Sequence, residues 1–152
     1  MTLTNKIIAV FGGSVCTPQE YFHAVEVGEL IAIKHGILIC GGLFGIMEAV
    51  CKGAKEKGGV TIGILPGDDT AAANEHVQIP IATGMGIGRN IIIARSARAC
   101  IAIAGKYGTL SEIAYALQLE KPVIALNSWD QIPGIIRATS PKEAVELAFG
   151  KR

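Results

Sequence analysis

Five short apolar runs divide the chain, and helix-length segments lie between them. The runs are continuous rather than alternating, and they fall at Ile7–Phe11, Ile37–Cys40, Val60–Leu65, Cys100–Ala104 and Pro122–Leu126. Continuous runs of this length are typical of strands that are buried on both faces, as in a parallel sheet. The alternation of strands with helices predicts βαβ units, and so an α/β fold with a mainly parallel sheet flanked by helices.

Three of the helix-length segments begin with a capping-box pattern. Thr17-Pro18-Gln19-Glu20 combines a cap, a proline in the first turn and a glutamate three residues after the cap. It predicts a helix that ends at Gly36. Ser140-Pro141-Lys142-Glu143 repeats the pattern and predicts a last helix ending near Gly150. Thr109-Leu110-Ser111-Glu112 predicts a third, with one apolar face formed by Leu110, Ile113, Ala114 and Leu117.

Composition narrows the class of protein. The 152 residues are half apolar and only 18% charged, which predicts one compact domain over residues 1–152. A net charge of +1 gives no reason to expect a nucleic-acid partner, and the apolar runs are too short to span a membrane. The first residues, MTLTNK, show no signal-peptide pattern, so a cytoplasmic location is expected. The four cysteines form no C-x-x-C pair, and no metal site is predicted.

Glycines gather just after the predicted strands. In open α/β sheets, ligands bind beyond the carboxyl ends of the strands, where glycine lets backbone amides approach an anion at a helix N-terminus. Four such turns on one edge predict a phosphate- or nucleotide-type ligand. Neither G-x-G-x-x-G nor G-x-x-x-x-G-K-[ST] is present. The candidate ligand-binding residues from these turns are Gly13, Ser14, Gly41, Gly42, Gly45, Gly67, Gly105 and Gly108.

The segment GKYGTLSE at residues 105–112 is the best candidate for a phosphate cradle. Its glycines expose amides, Thr109 offers a hydroxyl and Lys106 adds a positive charge. Asp68 and Tyr107 complete the predicted ligand-binding set. Simpler interpretations remain open, because Asp68 lies in a loop that water could solvate.

The motifs resemble a known family. The segments GGLFGIMEAVCKGAKEKGG at 41–59, ILPGDD at 64–69, GRN at 88–90 and AGKYGTLSEIAYAL at 104–117 are similar to the LOG-like (Lonely Guy) proteins, often labelled "possible lysine decarboxylase". The closest resemblance is to the branch that includes the molybdenum-cofactor carrier proteins, and it covers essentially the whole chain. It implies a single-domain, three-layer Rossmann-like fold, a homo-oligomer and a phosphate-bearing ligand at the sheet edge. In the hydrolytic relatives it implies cleavage of the N-glycosidic bond of a nucleoside 5′-monophosphate.

The hydrolase pattern is only partly kept. Those enzymes have P-G-G-x-G-T-x-x-E, and here Gly105, Gly108, Thr109 and Glu112 match, whereas Ala104 replaces the proline and Lys106 replaces the second glycine. They also have an Arg-Lys pair upstream, of which Arg89 is present while Asn90 replaces the lysine. The resemblance makes Arg89 and Glu112 the candidate catalytic residues. Glu112 could equally be only a helix cap, and Arg89 only a surface residue.

Three function classes follow. The favoured one is a binding or carrier protein for a phosphorylated, nucleotide-like ligand. The alternatives are a nucleoside 5′-monophosphate phosphoribohydrolase and a nucleotide-sensing regulator, whereas lysine decarboxylase activity is not expected. No cofactor is expected to be required, and a nucleotide or molybdopterin cofactor is the candidate bound ligand. Apolar residues around most of the first helix, together with Ile91–Ile93, predict a homodimer or homotetramer.

Overall fold

A seven-stranded parallel sheet is the centre of the computed structural model, which describes residues 3–150. The strands are β1 (Ile7–Gly12), β2 (Ile37–Cys40), β3 (Val60–Leu65), β4 (Ile79–Ala82), β5 (Ala99–Ile103), β6 (Val123–Leu126) and β7 (Ile136–Ala138). Their order in the sheet is β4-β3-β2-β1-β5-β6-β7, and every neighbouring pair is parallel.

Five α-helices cover the sheet on both faces. They are α1 (Pro18–Ile33), α2 (Ile46–Glu56), α3 (Asn90–Ser96), α4 (Tyr107–Gln118) and α5 (Pro141–Gly150). Alternate residues of β1 face opposite helix layers. Ile8 and Val10 pack with α1, α2 and α5, whereas Ala9 and Phe11 pack with α3 and α4. The predicted three-layer, Rossmann-like α/β fold is therefore confirmed. Residues 1–2 and 151–152 of the predicted domain lie outside the described residues.

The five predicted strands are all present, but the two edge strands were missed. β4 contains Pro80, a residue that cannot donate to a sheet ladder and that argues against a strand. β7 has only three residues and includes the exposed Arg137. At the edge of a sheet a strand has one neighbour only, so it needs neither the length nor the apolar run that identifies an inner strand.

One predicted capping box, at α1, is confirmed in full, and the one at α5 is confirmed in part, since the Glu143 carboxylate there accepts from the Thr139 N–H and not from the Ser140 N–H. The Thr17 hydroxyl accepts from the Glu20 N–H at 3.1 Å, and the Glu20 carboxylate accepts from the Thr17 N–H at 3.4 Å. At α5 the Ser140 hydroxyl accepts from the Glu143 N–H at 3.1 Å. Helix α1 ends at Ile33 rather than at Gly36, because His35 takes the left-handed conformation after the helix.

The third capping box is wrong. Helix α4 begins at Tyr107, two residues before the predicted cap, and Lys106 precedes it with no side-chain cap bond. Thr109 and Glu112 therefore lie one turn apart inside the helix, and both are buried. The buried residues of α4 are Thr109, Glu112, Ile113 and Ala116, and Leu117 packs against the same core while partly buried. The predicted apolar face is therefore correct for Ile113 and Leu117 among its four members.

Helices α1 and α2 pack in backbone contact. A Cβ added at Gly28 would lie 2.0 Å from the Val50 carbonyl oxygen, and one added at Gly53 would lie 1.9 Å from the Val25 carbonyl oxygen. Only glycine leaves room for such an approach. These two glycines hold the layer on one side of the sheet close together, away from the sheet edge where the ligand was predicted.

Candidate functional site

The strand order reverses between β1 and β5, and a cavity of about 800 Å³ lies over the carboxyl ends of these strands. In doubly wound sheets this reversal opens the crevice in which ligands bind. Seven of the predicted site residues line the cavity: Gly13, Ser14, Arg89, Gly105, Lys106, Gly108 and Glu112. The cavity thus combines two of the predicted glycine turns with both candidate catalytic residues.

The glycine turns after β1 and β5 lie in contact at the point where the strand order reverses. A Cβ added at Gly13 would lie 3.5 Å from the Gly105 Cα atom. The Gly13 carbonyl accepts from the Ile46 N–H at 3.0 Å, and a Cβ on Gly45 would lie 2.5 Å from that same carbonyl oxygen. Gly45 therefore serves close packing between two turns, and it does not line the cavity.

The turn from β5 into α4 has an unusual backbone. Ala104 and Gly105 both have positive φ, 48° and 87°. A Cβ on Gly105 would lie 2.1 Å from the Thr109 Oγ1 atom, so glycine is required there by conformation and by space. Proline fixes φ near −65° and cannot adopt the angle of Ala104. The turn consequently differs in backbone conformation from one that begins Pro-Gly-Gly.

Thr109 lies directly behind this turn. Its hydroxyl is buried and has no hydrogen-bond partner among residues 3–150. An unsatisfied buried hydroxyl costs about 1–3 kcal/mol, and such groups in folded proteins call for an explanation. The hydroxyl faces Gly105 at the N-terminal end of α4, behind the residues that line the cavity.

Arg89 is a buried residue, 8% exposed, so its alternative interpretation as a surface arginine is wrong. A 3₁₀ turn at Gly86–Arg89 leads into α3 and directs this side chain toward the sheet. Its Nε donates to the Ile64 carbonyl at 2.8 Å, one terminal nitrogen donates to the Gly41 carbonyl at 3.4 Å, and the other donates to the Asn90 side-chain oxygen. The guanidinium is thereby fixed against the ends of β2 and β3.

Glu112 faces the same space from α4 and is 7% exposed. Burial raises the pKa of its carboxyl to about 8; the Arg89 charge opposes this rise and the Cys40 thiol adds to it. Burial likewise lowers the pKa of Arg89, against the effect of Glu112. The raised pKa favours the protonated form of Glu112, and a neutral carboxylic acid can donate as well as accept a hydrogen bond. No hydrogen bond occupies this carboxyl within residues 3–150.

Asn90, at the position of the hydrolase lysine, links α3 to α4. Its side-chain amide donates to the Ser111 hydroxyl at 3.2 Å, and that hydroxyl donates to the Gly108 carbonyl at 2.7 Å. Because its oxygen accepts from Arg89, Asn90 connects the buried cation to the first turn of α4. Where a lysine would add a second charge beside Arg89, this chain has a neutral positioning residue.

The remaining predicted residues lie outside the cavity lining. The Gly41 carbonyl accepts from Arg89, and Gly42 packs against Leu65. Gly67 and Asp68 lie in the exposed connection between β3 and β4. Tyr107 is exposed at the start of α4, next to the cavity rim.

Sequence reasoning missed the connection between β6 and β7. Asn127, Ser128, Trp129 and Gln131 line the cavity. The segment follows a strand as the other site turns do, but it contains no glycine before Gly134, so a search for glycine turns passes over it. The signal that could have found it is the only tryptophan of the chain, placed just after an apolar run.

The cysteines form no exposed cluster. Cys40, Cys51 and Cys100 are buried, and Cys16 is half-buried at the cavity. The Cys40 and Cys51 sulfurs lie 3.5 Å apart, in hydrogen-bonding contact. Within residues 3–150, no three His, Cys, Asp or Glu side chains are grouped so that they could hold a metal ion. No helix of the described chain has the length and apolar content needed to cross a membrane.

Comparison with known proteins gives one family and several close structures. The model of the SLOG cluster4 family matches residues 5–149. The molybdenum cofactor binding protein of Rippkaea orientalis superimposes with a TM-score of 0.88 at 38% identity, over 93% of each chain. The molybdenum cofactor carrier protein of Chlamydomonas reinhardtii gives a TM-score of 0.85 at 35% identity, over 93% of this chain and 94% of that one.

A plant enzyme is also similar in sequence. The cytokinin riboside 5′-monophosphate phosphoribohydrolase LOG5 of Arabidopsis thaliana is 34% identical over 134 residues, which are 80% of this chain. The match covers only 58% of the plant protein's own length. The motif-based resemblance to LOG-like proteins is therefore confirmed by sequence and by structure.

Proposed function

Because the chain belongs to the SLOG cluster4 family, within the LOG-like superfamily that its motifs predicted, we propose that it binds and carries a phosphorylated, nucleotide-like small molecule. Molybdenum cofactor is the leading candidate for the cargo. The observation on which the proposal rests is the cavity at the β1/β5 reversal, where two glycine turns meet a buried Arg89 and Glu112. The two similar proteins from Rippkaea orientalis and Chlamydomonas reinhardtii, which are named for molybdenum cofactor, support this choice.

The phosphate is proposed to bind at the turn between β5 and α4. Helix α4 begins there without a side-chain cap, so its first N–H groups are free to bind an anion. Lys106 is exposed on the cavity lining and supplies a positive charge. The Thr109 hydroxyl, which lacks a partner in the described chain, would donate to the same anion.

The pair Arg89 and Glu112 favours binding over hydrolysis. Arg89 is held by two backbone carbonyls and by Asn90, and this fixed cation can neutralise part of an anionic ligand. Burial raises the pKa of Glu112 and so favours its neutral form, which is suited to donating a hydrogen bond. A neutral acid cannot stabilise the positive charge of an oxocarbenium-like transition state.

Phosphoribohydrolase activity is the second candidate. Glu112 and Arg89 are both kept and face one cavity, and the Arabidopsis relative is named for this reaction. Here Glu112 would have to act as a carboxylate, orienting water or the ribose hydroxyls. Since its pKa is raised to about 8, turnover would increase as the pH rises through 8.

A homodimer or homotetramer is proposed as the assembly. On α1, Val27 and Ile31 are buried within the chain, whereas Phe22 and Ile33 remain exposed. Of the segment 91–93, only Ile93 is fully buried. Light scattering at micromolar concentration would test the assembly, and a monomer would contradict it. A cytoplasmic location stays a prediction.

The test of function begins with mass spectrometry of small molecules that co-purify with the undenatured protein. Titration calorimetry then measures the binding of phosphate, ribose 5-phosphate, AMP and GMP. We expect Lys106→Ala to weaken the binding of the phosphorylated compounds by about tenfold to 100-fold, because a charge-assisted hydrogen bond is worth ~1.5–3 kcal/mol. Lys142→Ala, an exposed lysine on α5, is the matched control and should bind normally.

Free base released during long incubation distinguishes the two candidates. A carrier releases none from any nucleoside monophosphate, whereas a hydrolase releases base and loses about 100-fold or more of its turnover in Glu112→Gln. Absence of binding to every phosphorylated compound, with nothing co-purified, would contradict both candidates.

A further inference from the structure

Two aromatic side chains stand at the rim of the cavity. Trp129 is half-buried and lines the cavity, and Tyr107 is 81% exposed beside it. Their ring centroids are 6.4 Å apart and the planes are inclined by 37°. Large aromatic side chains are usually buried or partnered, so a half-buried tryptophan beside an exposed tyrosine at the opening of a cavity points to a bound ring.

The backbone that presents Trp129 is strained. Five non-glycine residues in the described chain have positive φ, and three of them line the cavity: Ala104, Asn127 and Trp129. The other two, His35 and Glu120, occupy the left-handed position that commonly follows a helix, after α1 and α4. No helix end explains the three cavity residues. Strain of this kind persists only where the surrounding structure maintains it, and it clusters at ligand sites.

Specific hydrogen bonds hold the tryptophan against the proposed phosphate turn. The Trp129 indole N–H donates to the Lys106 carbonyl at 3.2 Å. Two residues earlier in the turn, the Ala104 carbonyl accepts from the buried Ser128 hydroxyl. The indole is thus attached by its edge to the anion-binding turn, which fixes its orientation. This arrangement is suited to recognition, because a fixed ring loses little conformational freedom when a ligand binds.

We propose that Trp129 is the stacking surface for a planar heteroaromatic ring of the ligand, and that it selects such ligands over other phosphorylated compounds. The proposal rests on the proposed phosphate-binding function and adds the chemistry of the other end of the ligand. Asn127 and Gln131 line the same part of the cavity, and their amides can hydrogen-bond with ring nitrogens and carbonyl groups. Stacking of a base on an aromatic side chain is tolerant of the base's identity, so the class is a nucleobase- or pterin-type ring.

Trp129 is the only tryptophan of the chain, which makes its fluorescence a direct reporter. With excitation where tyrosine does not absorb, the protein is titrated with GMP, guanosine, ribose 5-phosphate and inorganic phosphate. We expect GMP and guanosine to quench the emission and the two ring-free compounds to bind without comparable quenching. GMP should bind about tenfold more tightly than ribose 5-phosphate because of stacking.

Two variants separate stacking from a structural role. Trp129→Ala should lose about tenfold in GMP affinity by calorimetry while its affinity for ribose 5-phosphate stays unchanged. Trp129→Phe keeps an aromatic face without the indole N–H, and it should retain most of the GMP affinity. Equal losses for both ligands in Trp129→Ala would overturn the proposal, because the residue would then act only by holding the turn.

The outcomes also distinguish this proposal from the proposed function. Tight binding of GMP and of ribose 5-phosphate that is insensitive to Trp129→Ala would overturn stacking and leave phosphate binding intact. Quenching by guanosine, without any affinity for inorganic phosphate or ribose 5-phosphate, would support stacking and contradict the phosphate site. Absence of binding by all four compounds would overturn both.

Discussion

The two faces of the sheet bury different chemistry. On one face, α1, α2 and α5 bury only apolar residues, glycine, a cysteine and a proline. On the other face, α3 and α4 are shorter in total and bury Asn90, Thr109 and Glu112, with Arg89 buried just before α3. Both faces pack on the same strands, so the difference lies in the helices.

The contrast separates a tightly packed face from the face that carries the candidate site. The face of α1, α2 and α5 holds two helices in backbone contact, an arrangement that maximises close packing. The face of α3 and α4 buries polar groups beside the cavity, and a buried polar group is costly when unpaired but interacts strongly with a charge brought close to it. Substitutions on the first face should therefore change stability, and those on the second should change binding and pH dependence.

The largest effect is expected from Gly28→Ala. The added methyl group would lie 2.0 Å from the Val50 carbonyl oxygen, so α1 and α2 must move apart. We expect the free energy of unfolding to fall by about 3 kcal/mol or more, measured by denaturant titration. Gly67→Ala is the control, because its methyl group meets open space and should change stability by less than about 0.5 kcal/mol. A Gly28→Ala protein as stable as the wild type would contradict the view that the face of α1, α2 and α5 depends on close packing.

A pH-dependent effect is expected from Glu112. Its pKa is raised to about 8, so the folded protein binds a proton that the unfolded chain releases at lower pH. The resulting stability is present below the ordinary pKa of a glutamate and is lost as the pH rises through about 8. We expect the free energy of unfolding to fall by about 4 kcal/mol between roughly pH 5 and pH 9, because it changes by about 1.4 kcal/mol for each pH unit between the two pKa values.

Glu112→Gln should make that profile flatter, because glutamine stays neutral at every pH. The exposed Glu146→Gln on α5 is the matched control and should leave the profile as in the wild type. Identical pH profiles for the wild type and Glu112→Gln would show that this carboxyl is already ionised at neutral pH. That result would favour the hydrolase candidate over the carrier.

The smallest effect on stability is expected from Thr109→Val. Unlike most substitutions of buried residues, it should increase the free energy of unfolding. Removing a buried hydroxyl that lacks a partner should stabilise the protein by about 1 kcal/mol, seen as a higher Tm. Thr61→Val is the opposite control, since that buried hydroxyl donates to the His76 carbonyl at 2.7 Å and accepts from the Gln78 N–H at 2.9 Å. It should destabilise. If Thr109→Val leaves phosphate affinity unchanged, its hydroxyl has no part in anion binding.

The sequence predicts the inner part of the fold well. Strands buried on both faces must be continuously apolar, so the inner strands and the helices between them are visible in the pattern. The edge strands β4 and β7 are under no such constraint, and Pro80 in β4 even argues against a strand. The glycine turns at Gly13 and Gly105 are likewise visible, because glycine marks places where backbone segments must approach each other.

The rest of the site depends on topology. The same Thr109 and Glu112 spacing is compatible with a cap or with two buried residues one turn apart, and only the starting point of α4 decides between them. The burial of Arg89 follows from where α3 lies relative to β2 and β3. Trp129 joins the site because β6 is two strands from β1, a neighbourhood that local sequence patterns do not encode.

The left-handed conformation of Ala104 bears on how this chain is related to the phosphoribohydrolases. Exchanging Ala104 and Lys106 for the Pro-Gly pair of those enzymes changes two side chains on paper, yet proline cannot occupy the backbone that Ala104 adopts at φ 48°. Passage between the two motifs therefore requires a rearranged turn, and with it new partners for the Ser128 and Trp129 donors. Single substitutions at Ala104 or Lys106 therefore do not convert one turn into the other. An engineered exchange of the motif would have to replace the turn together with the loop between β6 and β7.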